Sequence, residues 1–109
     1  MVKRSSNLDS IFSSLSDPTR RDILQRLLAT KKDLTIGDIA KPYTMSFAAV
    51  SKHLKILEAS GLVVKQRAGK EQKVRLHSVP LKSAAAFLQK FLDMPESRSG
   101  IAKYIPFLR

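Results

Sequence analysis

Residues 45–61, MSFAAVSKHLKILEASG, decide how this chain is read. Ser46 is a good helix N-cap and Gly61 suits the left-handed residue that stops a helix. Between them Val50, Leu54 and Leu57 recur at helical spacing as one apolar stripe. The opposite side is short and cationic. Ala48 and Ser51 have small side chains and Lys52 and Lys55 carry ammonium groups, so the helix backbone can approach a groove floor while its charges reach phosphates.

The rest of the chain supports a polyanionic partner. In 109 residues there are 20 Lys and Arg against 9 Asp and Glu, a formal net charge of +11, which favours nucleic acid over neutral partners. Surplus lysines that only keep a small domain soluble are the plainer reading of the same composition. There is no cysteine, which excludes a disulfide framework, a Cys-based zinc finger and a thiol nucleophile. The opening MVKRSSNLDS has charges without an apolar run behind them, and no apolar stretch nears membrane-spanning length. The expectation is one cytoplasmic domain with no membrane contact. No Ser/His/Asp spacing, phosphate-cradling glycine loop or paired carboxylates suggests an enzyme.

Outward from residues 45–61, the periodicities predict an ordered set of elements. Leu8, Ile11, Phe12 and Leu15 follow the helical period over residues 8–15. Asp17-Pro18 caps and opens a second helix with Ile23, Leu24, Leu27 and Leu28 as its stripe. Residues 31–34 read as a connection, and Thr35 with Asp38 has capping-box spacing for a short helix carrying Ile36, Ile39 and Ala40, which Pro42 ends. After Gly61 the period changes to two. Val64 and Gln66 share one parity, as do Gln72, Val74 and Leu76, while Lys65, Arg67, Lys73 and Arg75 fall on the other, with Ala68-Gly69-Lys70 as the turn. The hairpin is expected to have a largely apolar and a cationic face. Ser78-Val79-Pro80 begins a last helix whose apolar surface is Leu81, Ala84, Ala85, Leu88, Phe91 and Leu92. The fold class is mainly α with a small β-hairpin wing, a winged helix-turn-helix.

Three ordered segments then resemble a known family. LSDPTRRDIL at residues 15–24, TIGDIA at 35–40 and MSFAAVSKHLKILEASGLV at 45–63 are similar to the successive signatures of arsenic-repressor-type (ArsR-type) transcription regulators, and the resemblance covers residues 8–79. It implies that the helix over 47–60 enters the major groove of double-stranded DNA with the hairpin as a wing beside it. The DNA-binding residues expected are Ser46, Phe47, Ala48, Ser51, Lys52 and Lys55 on the helix, with Arg67, Lys70, Lys73 and Arg75 on the wing. Lys65 belongs to the same cationic cluster. Phe47 is open to two readings, packing on a thymine methyl or folding back into the helix-turn contact. His53 reads as a packing or phosphate-contacting histidine, not a metal ligand. His77 is either a backbone contact or an exposed hairpin residue. Arg20 and Arg21 oppose the dipole at a helix start, so one is expected to pair with Asp17 or Asp22 and the other to point toward DNA.

The resemblance also implies a homodimer built from the first and last helices, with Phe12, Leu15, Leu81, Ala84, Leu88 and Phe91 as interface candidates. The alternative assigns half of them to the intrachain core. Residues 1–94 are expected to form the DNA-binding domain with its dimerisation helices, and residues 95–109, SRSGIAKYIPFLR with its preceding Pro and Glu, to pack on the dimer. Relatives that sense metals use Cys pairs or Asp, Glu and His ligands, which residues 36–40 and 79–92 lack as sets, so neither metal nor cofactor is expected. A small-molecule inducer, a partner or the protein's own concentration remain open as signals. A sequence-specific homodimeric repressor on an inverted-repeat operator is the leading reading. A winged-helix protein-interaction module and a nonspecific architectural DNA binder are the alternatives.

Overall fold

The computed structural model describes residues 2–94, with side chains from Asn7 onward; the tail expected to pack on a dimer lies outside them. The chain runs α1 (Val2–Leu15), α2 (Pro18–Ala29), β1 (Leu34–Thr35), α3 (Ile36–Ala40), α4 (Phe47–Ala59), β2 (Val63–Ala68), β3 (Glu71–Leu76) and α5 (Leu81–Leu92). No described helix is long and apolar enough to cross a membrane.

Helices α2, α3 and α4 each begin at a side-chain cap. The Asp17 carboxylate accepts the Arg20 N–H at 3.1 Å, with Pro18 in the first turn. Thr35 and Asp38 form a reciprocal capping box, at 3.0 and 3.2 Å. The Ser46 hydroxyl accepts from the Ala49 N–H at 3.1 Å. Helix α4 stops where Gly61 adopts φ +83°. The Gly61 N–H then bonds the Glu58 carbonyl and the Leu62 N–H reaches back to Leu57, both at 3.0 Å; this pair of bonds closes the helix end. A side chain at Gly61 would be strained by that φ and would crowd Pro80 Cγ at 3.3 Å.

Val50, Leu54 and Leu57 are fully buried, in one cluster with Ile23, Leu24, Leu27, Ile39, Leu62, Val63 and Val74. Helix α1 closes one side through buried Ile11 and Ser14, whose hydroxyl donates to the Ile56 carbonyl at 3.5 Å. Leu28 departs from its expected place in the α2 stripe. It is 73% exposed, because the core lies under Ile23, Leu24 and Leu27 and the helix turns Leu28 away from it.

The sheet corrects two expectations. Residues 31–34 are not wholly a connection: Leu34 and Thr35 pair antiparallel with Val74 and Lys73, giving a three-stranded sheet in the order β1-β3-β2. The hairpin cations also do not share a face. Lys65 lies opposite Val74 and Arg67 opposite Gln72, whereas Val64 lies opposite Arg75 and Gln66 opposite Lys73. Directly opposed residues occupy one face, so Val63, Lys65 and Arg67 follow the core-facing parity and Val64 turns outward. Ala68 pairs with Glu71, leaving Gly69-Lys70 as a two-residue turn with φ +64° at Gly69, the position at which a type II′ hairpin requires it.

On the outward parity, the Arg75 guanidinium donates to both carboxylate oxygens of Asp33, at 3.0 and 2.9 Å. That bidentate contact holds the Asp33 carboxyl below the usual range and raises Arg75 further. The Arg20 N–H does the same for Asp17, and the Thr35 N–H followed by its hydroxyl for Asp38.

Two stability outcomes follow from this architecture. Leu54→Ala removes a fully buried side chain from the centre of the cluster and should cost about 2–5 kcal/mol in urea denaturation. Three carboxyls more acidic in the folded than in the unfolded chain mean that the unfolded chain binds more protons at acid pH, so stability rises with pH there. Their contribution is complete above the unfolded carboxylate value, about 3.9, and is lost as pH falls through the lower folded values. Urea midpoints measured from neutral pH down to pH 2 should drop in that window, and Asp38→Asn should lower the neutral midpoint and make the acid drop shallower.

Candidate nucleic-acid interface

Burying the Val50, Leu54 and Leu57 stripe forces the other arc of α4 outward. Phe47, Ala48, Lys52 and Lys55 are exposed and Ser51 is half-buried along that arc. Beside it stands the hairpin, and between them is a cleft of about 500 Å³. Phe47, Ser51 and Lys55 of α4 line it, with Thr35, Ile36 and Gly37 at the start of α3 and Lys65, Lys70, Glu71 and Gln72 of the hairpin. Three cations and one acid thus face a concavity bounded by a capped helix and a two-stranded ribbon.

The expected wing residues separate on inspection. Lys70, at the turn, lines the cleft; Arg67, opposite Gln72, is exposed and lies outside that lining. Lys73 is half-buried on the opposite parity. Arg75 is not in the cleft; Asp33 engages it on the far sheet face. Lys65 does line the cleft, but its ammonium is 3.2 Å from Glu58 of α4, with the side chain only 12% exposed. That pair ties the wing to the helix. Ser46 serves as the α4 cap and remains exposed.

The two arginines after Asp17 behave differently from expectation. Arg20 donates to the Ser14 and Ser13 carbonyls at 2.9 and 3.2 Å and approaches His53 Nδ1 at 3.1 Å. Arg21 donates to the Leu15 carbonyl at 2.8 Å. Neither makes the expected carboxylate pair or reaches toward the cleft. Both cations leave the positive start of α2 for the negative carbonyl end of α1, which answers the dipole problem. His53, half-buried, packs between Arg20 and Asp17, the latter 3.8 Å away. His77 is a structural residue: its N–H donates to the Leu62 carbonyl at 2.8 Å and its Nδ1 lies 3.0 Å from the Gly61 carbonyl.

Sequence reasoning missed a clip on the other flank. The Arg26 guanidinium donates to the Ile39 and Asp38 carbonyls, at 2.7 and 3.1 Å, and lies over the Tyr43 ring at 5.3 Å. The Tyr43 hydroxyl in turn donates to Asp22. Burial, with Asp22 second, pushes the Tyr43 phenol up and keeps it protonated as that donor. Arg26 sits on a polar helix face, so only its two carbonyl partners, invisible in sequence, reveal that it fastens α2 to the end of α3. Among the described residues no three His, Cys, Asp or Glu side chains converge as a metal site.

Of the six interface candidates, Ala84 is buried, and Leu15 and Leu81 pack against the chain's own core. Phe12 is half-buried, its ring edge-on to Phe87 at 6.0 Å. Leu88 and Phe91 are 48% and 64% exposed.

Comparison with known proteins agrees with this geometry. A family model described as a helix-turn-helix domain matches residues 15–66. The Bacillus subtilis (strain 168) transcriptional repressor SdpR is 31% identical over 86 residues, covering 79% of this chain and 93% of SdpR. The HTH-type transcriptional regulator YuzN of the same organism is 42% identical over 83 residues, covering 71% of this chain and 89% of YuzN. The structure of an ArsR-like transcriptional regulator from Rhodococcus sp. RHA1 superimposes with a TM-score of 0.76 at 30% identity, covering 100% of this chain and 98% of that one. With a capped α4 presented beside a basic wing and relatives matched over most of their length, the chain belongs to the ArsR-type winged helix-turn-helix transcriptional regulators.

Proposed function

We propose that this DNA-binding regulator is a homodimeric, metal-independent repressor that acts in the cytoplasm by occupying an inverted-repeat operator. The observation that carries the reading is the cleft in which Phe47, Ser51 and Lys55 of α4 meet Lys70 at the wing turn. Helix α4 enters the major groove with Ser46, Phe47, Ala48, Ser51, Lys52 and Lys55 toward the duplex. The wing follows the adjacent backbone through Lys70 and Arg67, with Lys73 at its flank. Arg75, committed to Asp33, supports the sheet from behind. Repression is also the activity named for SdpR.

Dimerisation is supported by the outer face of α5. Leu88, Phe91 and Leu92 lie at i, i+3 and i+4 and are largely exposed, next to the Phe12–Phe87–Phe91 aromatic cluster that joins α1 to α5. A contiguous apolar patch of this kind marks an interface, and a twofold pairing through it gives two α4 helices for two half-sites. The described residues then make up the DNA-binding and dimerising unit. Metal independence is supported by a sequence with no cysteine and with neither histidine nor acid at residues 79–92.

Selection of bound duplexes from random sequence should return a palindrome. On that site, a dimer neutralising about eight phosphates should lose roughly 10³- to 10⁵-fold in affinity between about 50 and 200 mM salt; a titration flat in salt is incompatible with the proposal. Side-chain roles are separable on the same site. Ser51→Ala and Lys52→Ala should each cost about 1–3 kcal/mol on the selected duplex and little on random DNA. Lys70→Ala should weaken both alike and reduce the salt slope by about 1 per half-site, while Arg75→Ala should leave the slope unchanged. Equal losses on specific and random DNA for Ser51→Ala and Lys52→Ala would argue against direct readout.

A further inference from the structure

We propose that Phe47 reads the C5 methyl group of a pyrimidine, thymine or 5-methylcytosine, and thereby sets the sequence choice of α4. The inference rests on the reading of α4 as the major-groove helix. It starts from an exposed aromatic that the fold does not use. Phe47 is 57% exposed, it is absent from the buried cluster and the hydrophobic residues packed against it, and the described aromatic pairs join Phe12, Phe87 and Phe91 instead. Folding back into the helix-turn contact, the other reading of this residue, is incompatible with that exposure.

Position makes the ring a reader. Phe47 is the first residue of α4, immediately after the Ser46 cap, and the N-terminal residues of a groove-bound helix are those that meet base edges. Its neighbours in the cleft are Ser51 and Lys55, a hydroxyl and an ammonium suited to base edge and phosphate. A phenyl ring offers no hydrogen bond. The apolar group in the major groove that matches it is the C5 methyl of thymine, replaced by C5–H in cytosine. Gly37 lines the same cleft and contributes no side chain to cover the ring. A Cβ there would meet only Thr35 Oγ1, at an ordinary 3.7 Å, and its φ is not positive. Intrachain packing therefore does not demand glycine, whereas a base edge coming up to Phe47 benefits from the open flank.

The test uses the full chain and the preferred duplex obtained by selection. Thymines in each half-site are replaced one at a time by deoxyuridine, which deletes the methyl and keeps every base-pairing and groove hydrogen-bonding group. One position should lower wild-type affinity about fourfold per half-site, the effect of burying one methyl-sized group. Phe47→Ala should bind the parent duplex more weakly and be indifferent to deoxyuridine there, and Phe47→Leu should keep part of the discrimination. If that position is cytosine, 5-methylcytosine should tighten wild-type binding and not that of Phe47→Ala. Because the side chain is exposed, both variants should melt as the wild type does. A preferred duplex whose affinity ignores every deoxyuridine and every 5-methylcytosine, or a methyl effect undiminished in Phe47→Ala, overturns the methyl contact alone. Failure of selection to yield any preferred duplex overturns the major-groove reading, and the methyl contact with it.

Discussion

The burial of Val50, Leu54 and Leu57 is the constraint on which the rest of the molecule depends. These three side chains have no solvent contact, and each contributes on the order of 1.5–3 kcal/mol by leaving water, so the rotation of α4 about its own axis is not adjustable. Once it is set, Phe47, Ser51, Lys55 and Lys52 have one direction to face. The same stripe meets Leu62, Val63 and Val74 from the hairpin, so the wing is positioned by the core that orients the helix. A single packing event thus produces a cleft with cations on both walls.

Packing fixes rotation, but polar clips fix tilt. Arg20 bonds the last carbonyls of α1 while touching His53 of α4. Arg26 bonds the last carbonyls of α3 and stacks on Tyr43. Each guanidinium satisfies the orphan acceptors of a helix end with several donors in one plane, joining elements that apolar contact alone would let slide. The Glu58–Lys65 pair plays the corresponding part between α4 and the wing. His53 belongs to this set. Its Nδ1 accepts from Arg20 when the ring is neutral, and the contact links α4 to the end of the helix that carries Phe12.

Much of this was legible in the residues. Caps at Asp17, Thr35 and Ser46, the Gly61 stop and the α4 stripe are local signals with local physical causes, and they appear where the spacing puts them. What escaped depends on partners remote in sequence. β1 is two residues long and exists because β3 pairs with it. The faces of the hairpin were misjudged because Val64 and Gln66 mimic an apolar parity, whereas the register set by the Gly69-Lys70 turn puts Lys65 opposite buried Val74. Arg75 looked like a wing cation, and nothing local announces Asp33, 42 positions away. Leu81 and Ala84 were indistinguishable from Leu88 and Phe91 by periodicity, since one face of α5 continues from the core into the exposed patch.

The distribution of charge sharpens what a net charge of +11 means. Five of the described acids are spent on internal geometry: Asp33 on Arg75, Glu58 on Lys65, Asp17 and Asp38 on helix caps, Asp22 on Tyr43. No ion pair among the described residues engages Lys52, Lys55, Arg67 or Lys70. Of the hairpin cations, Lys65 in the cleft is paired with Glu58 and Arg75 behind the sheet with Asp33, while Lys55 and Lys70 face the cleft with Glu71 as the one acid in its lining. Charge composition alone predicts attraction to any polyanion; unpaired Lys52, Lys55, Arg67 and Lys70 concentrate part of that attraction on α4 and the wing turn. Those cations share the α4 arc and the wing turn with the exposed ring of Phe47 and the hydroxyl of Ser51, so the field that would draw in a phosphate backbone and the two side chains proposed to read bases lie on one side of the molecule.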